Sequence, residues 1–119
     1  MKLFVDDLRK PPEGWEVVRT NTDAIRLLAG GYVDEAISID HDIIACPKPC
    51  CGLRMGQETF QPVAYYIARM PEELRPQKIN FHTANPAGAL RMQGVLKDVG
   101  IDSTYHEASG SFQWGEDIK

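Results

Sequence analysis

A short apolar run in residues 36–42 ends in three residues that can do chemistry. Residues 36–39, Ala-Ile-Ser-Ile, are too few for a helix and typical of a strand that is buried on both faces. Asp40, His41 and Asp42 follow at its carboxyl end, which is the edge where open α/β sheets bind ligands. Two carboxylates and an imidazole there can bind a cation or transfer protons. The structural alternative is that Asp40 caps a turn and His41 is a core histidine.

Two other apolar runs also end in polar residues. Residues 3–5 precede Asp6 and Asp7, and residues 78–81 precede a histidine and a threonine. Because the carboxyl ends of parallel strands share one edge of a sheet, we expect all these residues to meet. The expected cluster comprises Asp6, Asp7, Asp40, His41, Asp42, His82, Thr83 and Asn85.

Carboxylates in such a cluster repel one another, by roughly 4 kcal/mol for a pair about 4 Å apart at an effective dielectric constant near 20. Shifted pKa values or a bound cation would relieve the repulsion, and oxygen ligands suit Mg²⁺ or Mn²⁺. The Asn85-Pro86 pair predicts a helix start whose first N–H groups, including that of Gly88, would favour a phosphate at this edge. Arg9 could clamp a phosphate oxygen, or it could form only a surface salt bridge.

The segments that must hold these residues alternate between strand and helix patterns. This alternation predicts a three-layer α/β fold, with a mostly parallel sheet of about five strands and helices on both faces. The predicted strands are residues 3–5, 16–20, 36–39, 78–83 and 103–105. One connection is unusual, because residues 8–15 contain two prolines and a glycine and are short for a parallel crossover. Either this crossover is compressed or the second strand is an irregular edge.

Three helices are predicted between the strands, each from a capping residue and an apolar face. They run from Asn21 or Thr22 to Gly30, from Thr59 to Pro71, and from Asn85 to Gly100. Their predicted buried residues are Ala24, Ile25, Leu27 and Leu28, then Val63, Tyr66, Ile67 and Met70, and then Met92, Val95, Leu96 and Val99.

The length of 119 residues fits one domain over residues 1–119, with a long loop at 43–58 and a polar tail at 107–119. The net charge of −4 and the lack of a Lys/Arg run argue against a groove for long nucleic acid. A small phosphorylated ligand bound through a cation remains open, as does the oligomeric state. The amino-terminal residues contain neither a signal peptide nor a membrane span, so we expect a cytoplasmic protein that does not bind membranes.

Three cysteines, Cys46, Cys50 and Cys51, lie in the long loop. An odd number at this spacing is not a disulfide framework and fits a reducing compartment. With a histidine they could hold a structural Zn²⁺, but adjacent cysteines lack the Cys-x-x-Cys spacing of zinc sites. The alternative is three free thiols in a loop.

Three ordered motifs resemble a receiver-like domain family proposed to process cyclic phosphates, which is related to the receivers of two-component response regulators. They are Leu-Phe-Val-Asp-Asp-Leu-Arg at residues 3–9, Ile-Ser-Ile-Asp-His-Asp at 37–42 and His-Thr-Ala-Asn-Pro-Ala-Gly at 82–88. The resemblance covers about residues 1–99 and implies a flavodoxin-like sheet. The cysteine-containing loop lies outside it.

The resemblance also implies roles for individual residues. Asp6 and Asp7 would be metal-binding acids, Asp40 would match the acid that receivers phosphorylate, and Thr83 would match the hydroxyl residue after the fourth strand. The receiver lysine at the end of the fifth strand has no counterpart near Tyr105. Since that lysine pairs with the acyl phosphate, ordinary receiver phosphorylation is not expected.

Our leading hypothesis is metal-assisted opening or binding of a cyclic phosphate on a small nucleotide or RNA end. Mg²⁺ or Mn²⁺ on Asp6, Asp7 and Asp40 would neutralise the phosphate and activate water. His82 and His41 are candidate general acids and bases, and His82 is preferred because His41 should point away from Asp40 on an extended segment. The remaining candidates are Asp42 for catalysis and Arg9, Thr83, Asn85 and Gly88 for phosphate. The alternative is a non-catalytic receiver-like binding or signalling module.

Overall fold

The computed structural model describes residues 1–41, 59–83 and 85–107 and contains one sheet of five parallel strands. The strands are β1 (Lys2–Val5), β2 (Glu16–Val18), β3 (Ala36–Ile39), β4 (Lys78–Thr83) and β5 (Thr104–Glu107). Their order is β2-β1-β3-β4-β5, and each neighbouring pair is parallel. This order is that of flavodoxin-like sheets, so the predicted fold class is confirmed.

Three helices connect the strands in a single layer. They are α1 (Asn21–Ala29), α2 (Gln61–Arg69) and α3 (Pro86–Lys97), with a short 3₁₀ turn at Glu72–Leu74. Both α1 and α3 contact α2, and buried residues of all three helices join one apolar core. Helices were expected on both faces, but the described residues place none on the second face. A right-handed β1-to-β2 crossover would lie there, and that connection is a loop.

The two faces of the sheet differ in chemistry because successive strand residues point to opposite sides. The face under the helices is apolar and carries Leu3, Val5, Ile37, Ile39, Ile79 and Phe81. The second face carries Phe4, Ser38, Asn80 and His82, which are also buried. Phe4 lies opposite Ser38 and Ser38 opposite Asn80 in the strand register, so these side chains form a row across the sheet.

The connection from β1 to β2 is compressed, as the first of the two alternatives predicted, and β2 is an edge strand that pairs regularly with β1. Residues 6–15 join the two strands without a helix. Gly14 takes a φ of 86° in this loop, a conformation that glycine adopts without steric cost. Asp6 and Asp7 begin this loop, directly after β1 and therefore at the carboxyl edge of the sheet.

The cap of α1 is Thr20, so the predicted cap at Asn21 or Thr22 is wrong. Thr20 has the extended backbone that a cap needs, and its side chain accepts the N–H of Asp23 at 3.1 Å. Asn21 is already helical.

The apolar face of α3 is shorter than predicted. Met92 and Leu96 are buried as expected, but Val99 is 48% exposed. The helix ends at Lys97, so Val99 lies in the following turn and no longer shares the helical period. Gly100 closes that turn with a φ of 80°.

Several predictions fall outside the described residues. These concern Asp42, the loop at 43–58 with Cys46, Cys50 and Cys51, and residues 108–119 of the tail. In the described ranges, no helix has the length and apolar character needed to cross a membrane.

Candidate functional site

Three buried carboxylates meet at the carboxyl edge of the sheet. Asp6 and Asp7 follow β1, and Asp40 follows the neighbouring β3. The N–H of Asp40 donates to the Val5 carbonyl at 2.9 Å, which keeps the two strand ends together. One oxygen from each carboxylate lies within 4.8 Å of the others. Since burying unneutralised carboxylates is costly and Mg²⁺ prefers oxygen ligands, this cluster could bind such a cation.

Asp6 is held rigidly by four hydrogen bonds. Its Oδ1 accepts the backbone N–H groups of Leu8 at 2.8 Å and Arg9 at 2.9 Å. Its Oδ2 lies 2.8 Å from His82 Nε2 and accepts Arg9 Nη1 at 3.1 Å. Burial alone would raise the pKa of Asp6, but the hydrogen bonds from His82 and the backbone outweigh burial and hold this pKa well below its usual value.

Arg9 acts as a counter-ion within the cluster. Its Nη1 lies 3.1 Å from Asp6 Oδ2 and 3.3 Å from Asp40 Oδ2, so one guanidinium nitrogen bridges two carboxylates. The Arg9 side chain is 29% exposed, whereas both carboxylates are buried. The side chain therefore stands between the acids and solvent, and its pairing with buried groups is not that of a simple surface salt bridge.

Arg19 was not identified from the sequence. Its Nη1 donates to the carbonyl oxygens of Asp6 at 3.0 Å and Arg9 at 2.7 Å, and so fastens the loop that carries the acids. A basic residue just beyond β2, at the same edge as the acids, was a signal that could have found it.

Asp40 is the acid of the cluster that titrates near neutrality. Its Oδ1 accepts the N–H of His41 at 2.8 Å. Burial, and then the negative charge of Asp6, raise the pKa of Asp40 to about 7, although His41, Arg9 and the Thr83 hydroxyl partly oppose this rise. Asp40 can therefore carry or release a proton at neutral pH.

His82 lies behind Asp6 and has no exposed surface. Its Nε2 faces Asp6 Oδ2, its Nδ1 lies 2.6 Å from Ser38 Oγ, and its ring stacks on Phe4 with centroids 4.2 Å apart. Burial lowers the pKa of His82 despite the neighbouring carboxylate. These contacts favour support of Asp6 over the proton transfer that the sequence suggested.

His41, Asn85 and Gly88 form a packed unit beside the acids. His41 is 4% exposed, and its ring nitrogens lie 3.1 Å from Gln61 Nε2 and 3.4 Å from Asn85 Nδ2. A Cβ on Gly88 would lie only 2.6 Å from His41 Nδ1, so the ring occupies the space that a side chain would need. Asn85 Oδ1 accepts the Gly88 N–H at 3.0 Å, which makes it the cap of α3. The Gly88 N–H expected to bind phosphate thus already has an acceptor.

The structure separates the predicted site residues into three groups. The first group is the acidic cluster of Asp6, Asp7 and Asp40 together with Arg9 and Thr83, which contact it. His82 lies behind the cluster, and His41 belongs to the neighbouring packed unit. Besides Arg19, the residues that were not predicted to support the site are Phe4, Ser38 and Asn80, because single strand positions do not indicate which partners they face.

Comparison with known proteins agrees with this geometry. A family model described as the cyclic-phosphate processing receiver domain matches residues 1–98. Neither a curated protein nor a solved structure matches the chain significantly. The matched region includes all three motifs and every residue of the acidic cluster, which confirms the resemblance. The chain therefore belongs to the cyclic-phosphate processing receiver domain family.

Proposed function

We propose that this chain binds a divalent cation at its acidic edge and hydrolyses a small cyclic phosphate there. The single observation that carries the proposal is the meeting of three buried carboxylates beside an arginine that bridges two of them. The family supports the cyclic phosphate, the carboxylates suit a cation, and the arginine suits a phosphate.

The donor set suits Mg²⁺, and also Mn²⁺, because all three candidate ligands are carboxylate oxygens. Asp6, Asp7 and Asp40 would hold the ion. When bound, it would neutralise phosphate charge and lower the pKa of a water molecule.

Arg9 and Asp40 have separate tasks in the proposed reaction. The Arg9 side chain, which is 29% exposed, contacts phosphate oxygens through its charged, planar guanidinium. While one oxygen of the Asp40 carboxylate would hold the ion, its other oxygen takes a proton from the attacking water. The water oxygen bonds to phosphorus, one ring P–O bond breaks, and the released oxygen takes a proton from solvent. The product is a phosphate monoester with a free hydroxyl.

His82 and His41 position other groups in this mechanism. His82 orients Asp6, and His41 fills the space between Asn85 and Gly88. Neither needs contact with the ligand, which fits their burial.

The proposed ligand is a small cyclic nucleotide or the cyclic phosphate at an RNA end. A net charge of −4 disfavours a long nucleic-acid backbone. The interaction would therefore be confined to the terminal phosphate and its nearest sugar.

Phosphorus NMR of a panel of 2′,3′-cyclic nucleotides with protein and Mg²⁺ or Mn²⁺ tests this proposal. We expect a monoester resonance to grow with wild-type protein, and no turnover with Asp40→Asn or with excess chelator. Asp102→Asn is the matched control, because it makes the same chemical change at an exposed position away from the acidic edge. Absence of turnover across the panel would contradict the hydrolytic function.

A non-catalytic binding module is the second candidate. The observation that favours it is that both histidines near the acidic edge are buried and hydrogen-bonded within the protein. It predicts calorimetric binding of a cyclic nucleotide in the presence of Mg²⁺ with an unchanged phosphorus spectrum. Incubation with a small phosphodonor, followed by intact-mass measurement, would show whether Asp40 accepts a phosphoryl group.

A further inference from the structure

A continuous chain of hydrogen bonds crosses the second face of the sheet from β5 to the acidic edge. We name it the relay; it comprises His106, Thr104, Asn80, Ser38, His82 and Asp6. At its β5 end, Asn80 Oδ1 accepts the Thr104 hydroxyl at 2.7 Å and lies 2.6 Å from His106 Nδ1. On the other side, Asn80 Nδ2 donates to Ser38 Oγ at 3.0 Å.

The relay ends on a candidate cation ligand. Ser38 Oγ lies 2.6 Å from His82 Nδ1, and His82 Nε2 lies 2.8 Å from Asp6 Oδ2. Asn80, Ser38 and His82 have no exposed surface. The nearly parallel stack of Phe4 on the imidazole, at an interplanar angle of 5°, restricts tilting of the ring.

Asp6 sets the direction of the hydrogen bonds at its end of the relay. Its oxygens accept two backbone N–H groups and the Arg9 guanidinium, and an ionised carboxylate can only accept. His82 Nε2 must therefore carry a proton. The other ring nitrogen, Nδ1, faces the Ser38 hydroxyl, and the far end of the relay decides which of the two donates there.

Asn80 sets the same direction from the other end. Its amide nitrogen donates to the Ser38 oxygen, which leaves the Ser38 proton for His82. Its amide oxygen faces Thr104 and His106, both of which can donate. If the amide were turned over, its oxygen would attract the Ser38 proton, and His82 Nδ1 would lose its donor.

We propose that Asn80 is a positioning residue for the acidic edge. Through Ser38, it keeps His82 Nδ1 as an acceptor and the Nε2 proton directed at Asp6. The consequence for the cation rests on the proposed function, whereas the proton positions in the relay do not.

The substitution Asn80→Asp tests the direction of the relay with almost no change in volume. A carboxylate has no donor for Ser38 and would accept the Ser38 hydroxyl instead. The Ser38 oxygen would then face His82 Nδ1 as an acceptor. His82 Nδ1 would then have to carry a proton.

Nitrogen NMR of ¹⁵N-labelled histidine, near neutral pH and without metal, reports which ring nitrogens carry protons. The chain has 3 histidines, and His82→Phe identifies the His82 signals by their loss. We expect the proton on Nε2 and none on Nδ1 in the wild type, and a proton on Nδ1 in Asn80→Asp. Thr104→Val is the matched control: it removes one bond to Asn80 Oδ1 but retains His106, so the wild-type pattern should persist.

Titration with Mg²⁺ alone adds a second readout. We expect Asn80→Asp to weaken Mg²⁺ affinity roughly tenfold, the scale on which groups behind a metal ligand act, and Thr104→Val to leave it unchanged. An unaltered His82 pattern in Asn80→Asp would overturn the proposal. So would a wild-type ring with its proton on Nδ1 or on both nitrogens, even where Asn80→Asp does not fold. A protein that binds no Mg²⁺ would contradict the proposed function, while the proton positions would still decide the role of Asn80.

Discussion

Phe81 and His82 are neighbours on β4, yet they belong to different parts of the molecule. Phe81 points under the helices into the apolar core. His82 points to the second face, where it contacts Ser38 and Asp6 and stacks on Phe4. Both residues are fully buried, so burial does not distinguish them. What differs is the demand for hydrogen bonds.

This difference shows how one set of strands can carry two tasks. An apolar face stabilises the fold through area removed from water, without directional requirements. A buried polar face stabilises only when its groups are hydrogen-bonded, and in return it fixes side-chain directions. We therefore expect substitutions on the helix-covered face to change stability, and substitutions on the second face to change the acidic edge.

The largest effect on stability should come from the apolar face. Phe81→Ala removes a fully buried ring and should lower the free energy of unfolding by about 3–5 kcal/mol, measured by urea denaturation. Phe81→Leu is the milder variant for binding studies, and its Mg²⁺ affinity should equal that of the wild type. A loss of affinity in folded Phe81→Leu would contradict the division between the two faces.

On the second face, His82→Phe should act mainly on cation binding. The new ring can stack on Phe4 but cannot donate to Asp6, so Mg²⁺ affinity measured by calorimetry should fall by roughly 10–100-fold. Ser38 also loses a partner, and we expect a stability loss of about 1–3 kcal/mol, less than that of Phe81→Ala. If this variant bound Mg²⁺ with wild-type affinity, His82 would not support the cation site.

Two glycines on α3 give a matched pair for the packed unit beside the acids. Gly88→Ala would force the His41 ring to move and should cost about 1–3 kcal/mol of stability. Gly94→Ala meets nothing within 4 Å and should stabilise the same helix by roughly 0.5–1 kcal/mol. Equal effects in thermal or urea denaturation would show that contact with His41 does not explain why position 88 is glycine.

The raised pKa of Asp40 predicts that stability changes gradually with pH in the absence of metal. The folded protein keeps the Asp40 proton up to a pKa of about 7, whereas the unfolded chain loses it near 3.8. The wild type should therefore lose stability relative to Asp40→Asn as pH rises from about 4 to 7, by less than about 1.4 kcal/mol per pH unit. Above that range the difference should be constant.

The lowered pKa of His82 has the opposite effect on stability as pH rises. It destabilises the folded state at pH values where the ring is protonated in the unfolded chain. It is present in both proteins, so the difference between them isolates Asp40. Urea denaturation at a series of pH values with chelator measures this difference. If the stabilities of the two proteins changed with pH in parallel, the raised pKa of Asp40 would be contradicted. Adding Mg²⁺ above neutrality should stabilise the wild type more than Asp40→Asn.

Much of the fold was predictable because its signals are local. Apolar runs that end in acids located β1 and β3, and the Asn85-Pro86 pair located the start of α3. The predicted burial of Val99 and the predicted cap of α1 were wrong, because helix ends depend on the backbone conformation near the boundary. Periodicity does not report that conformation.

The sequence by itself determined the parallel α/β fold class, the family and the gathering of Asp6, Asp7 and Asp40 at one edge. These follow from residue types along single strands. Only the tertiary structure decided that Arg9 bridges Asp6 and Asp40, and that His82 faces away from solvent behind Asp6. Those contacts depend on register and side-chain direction between strands far apart in the chain, and no local pattern encodes them.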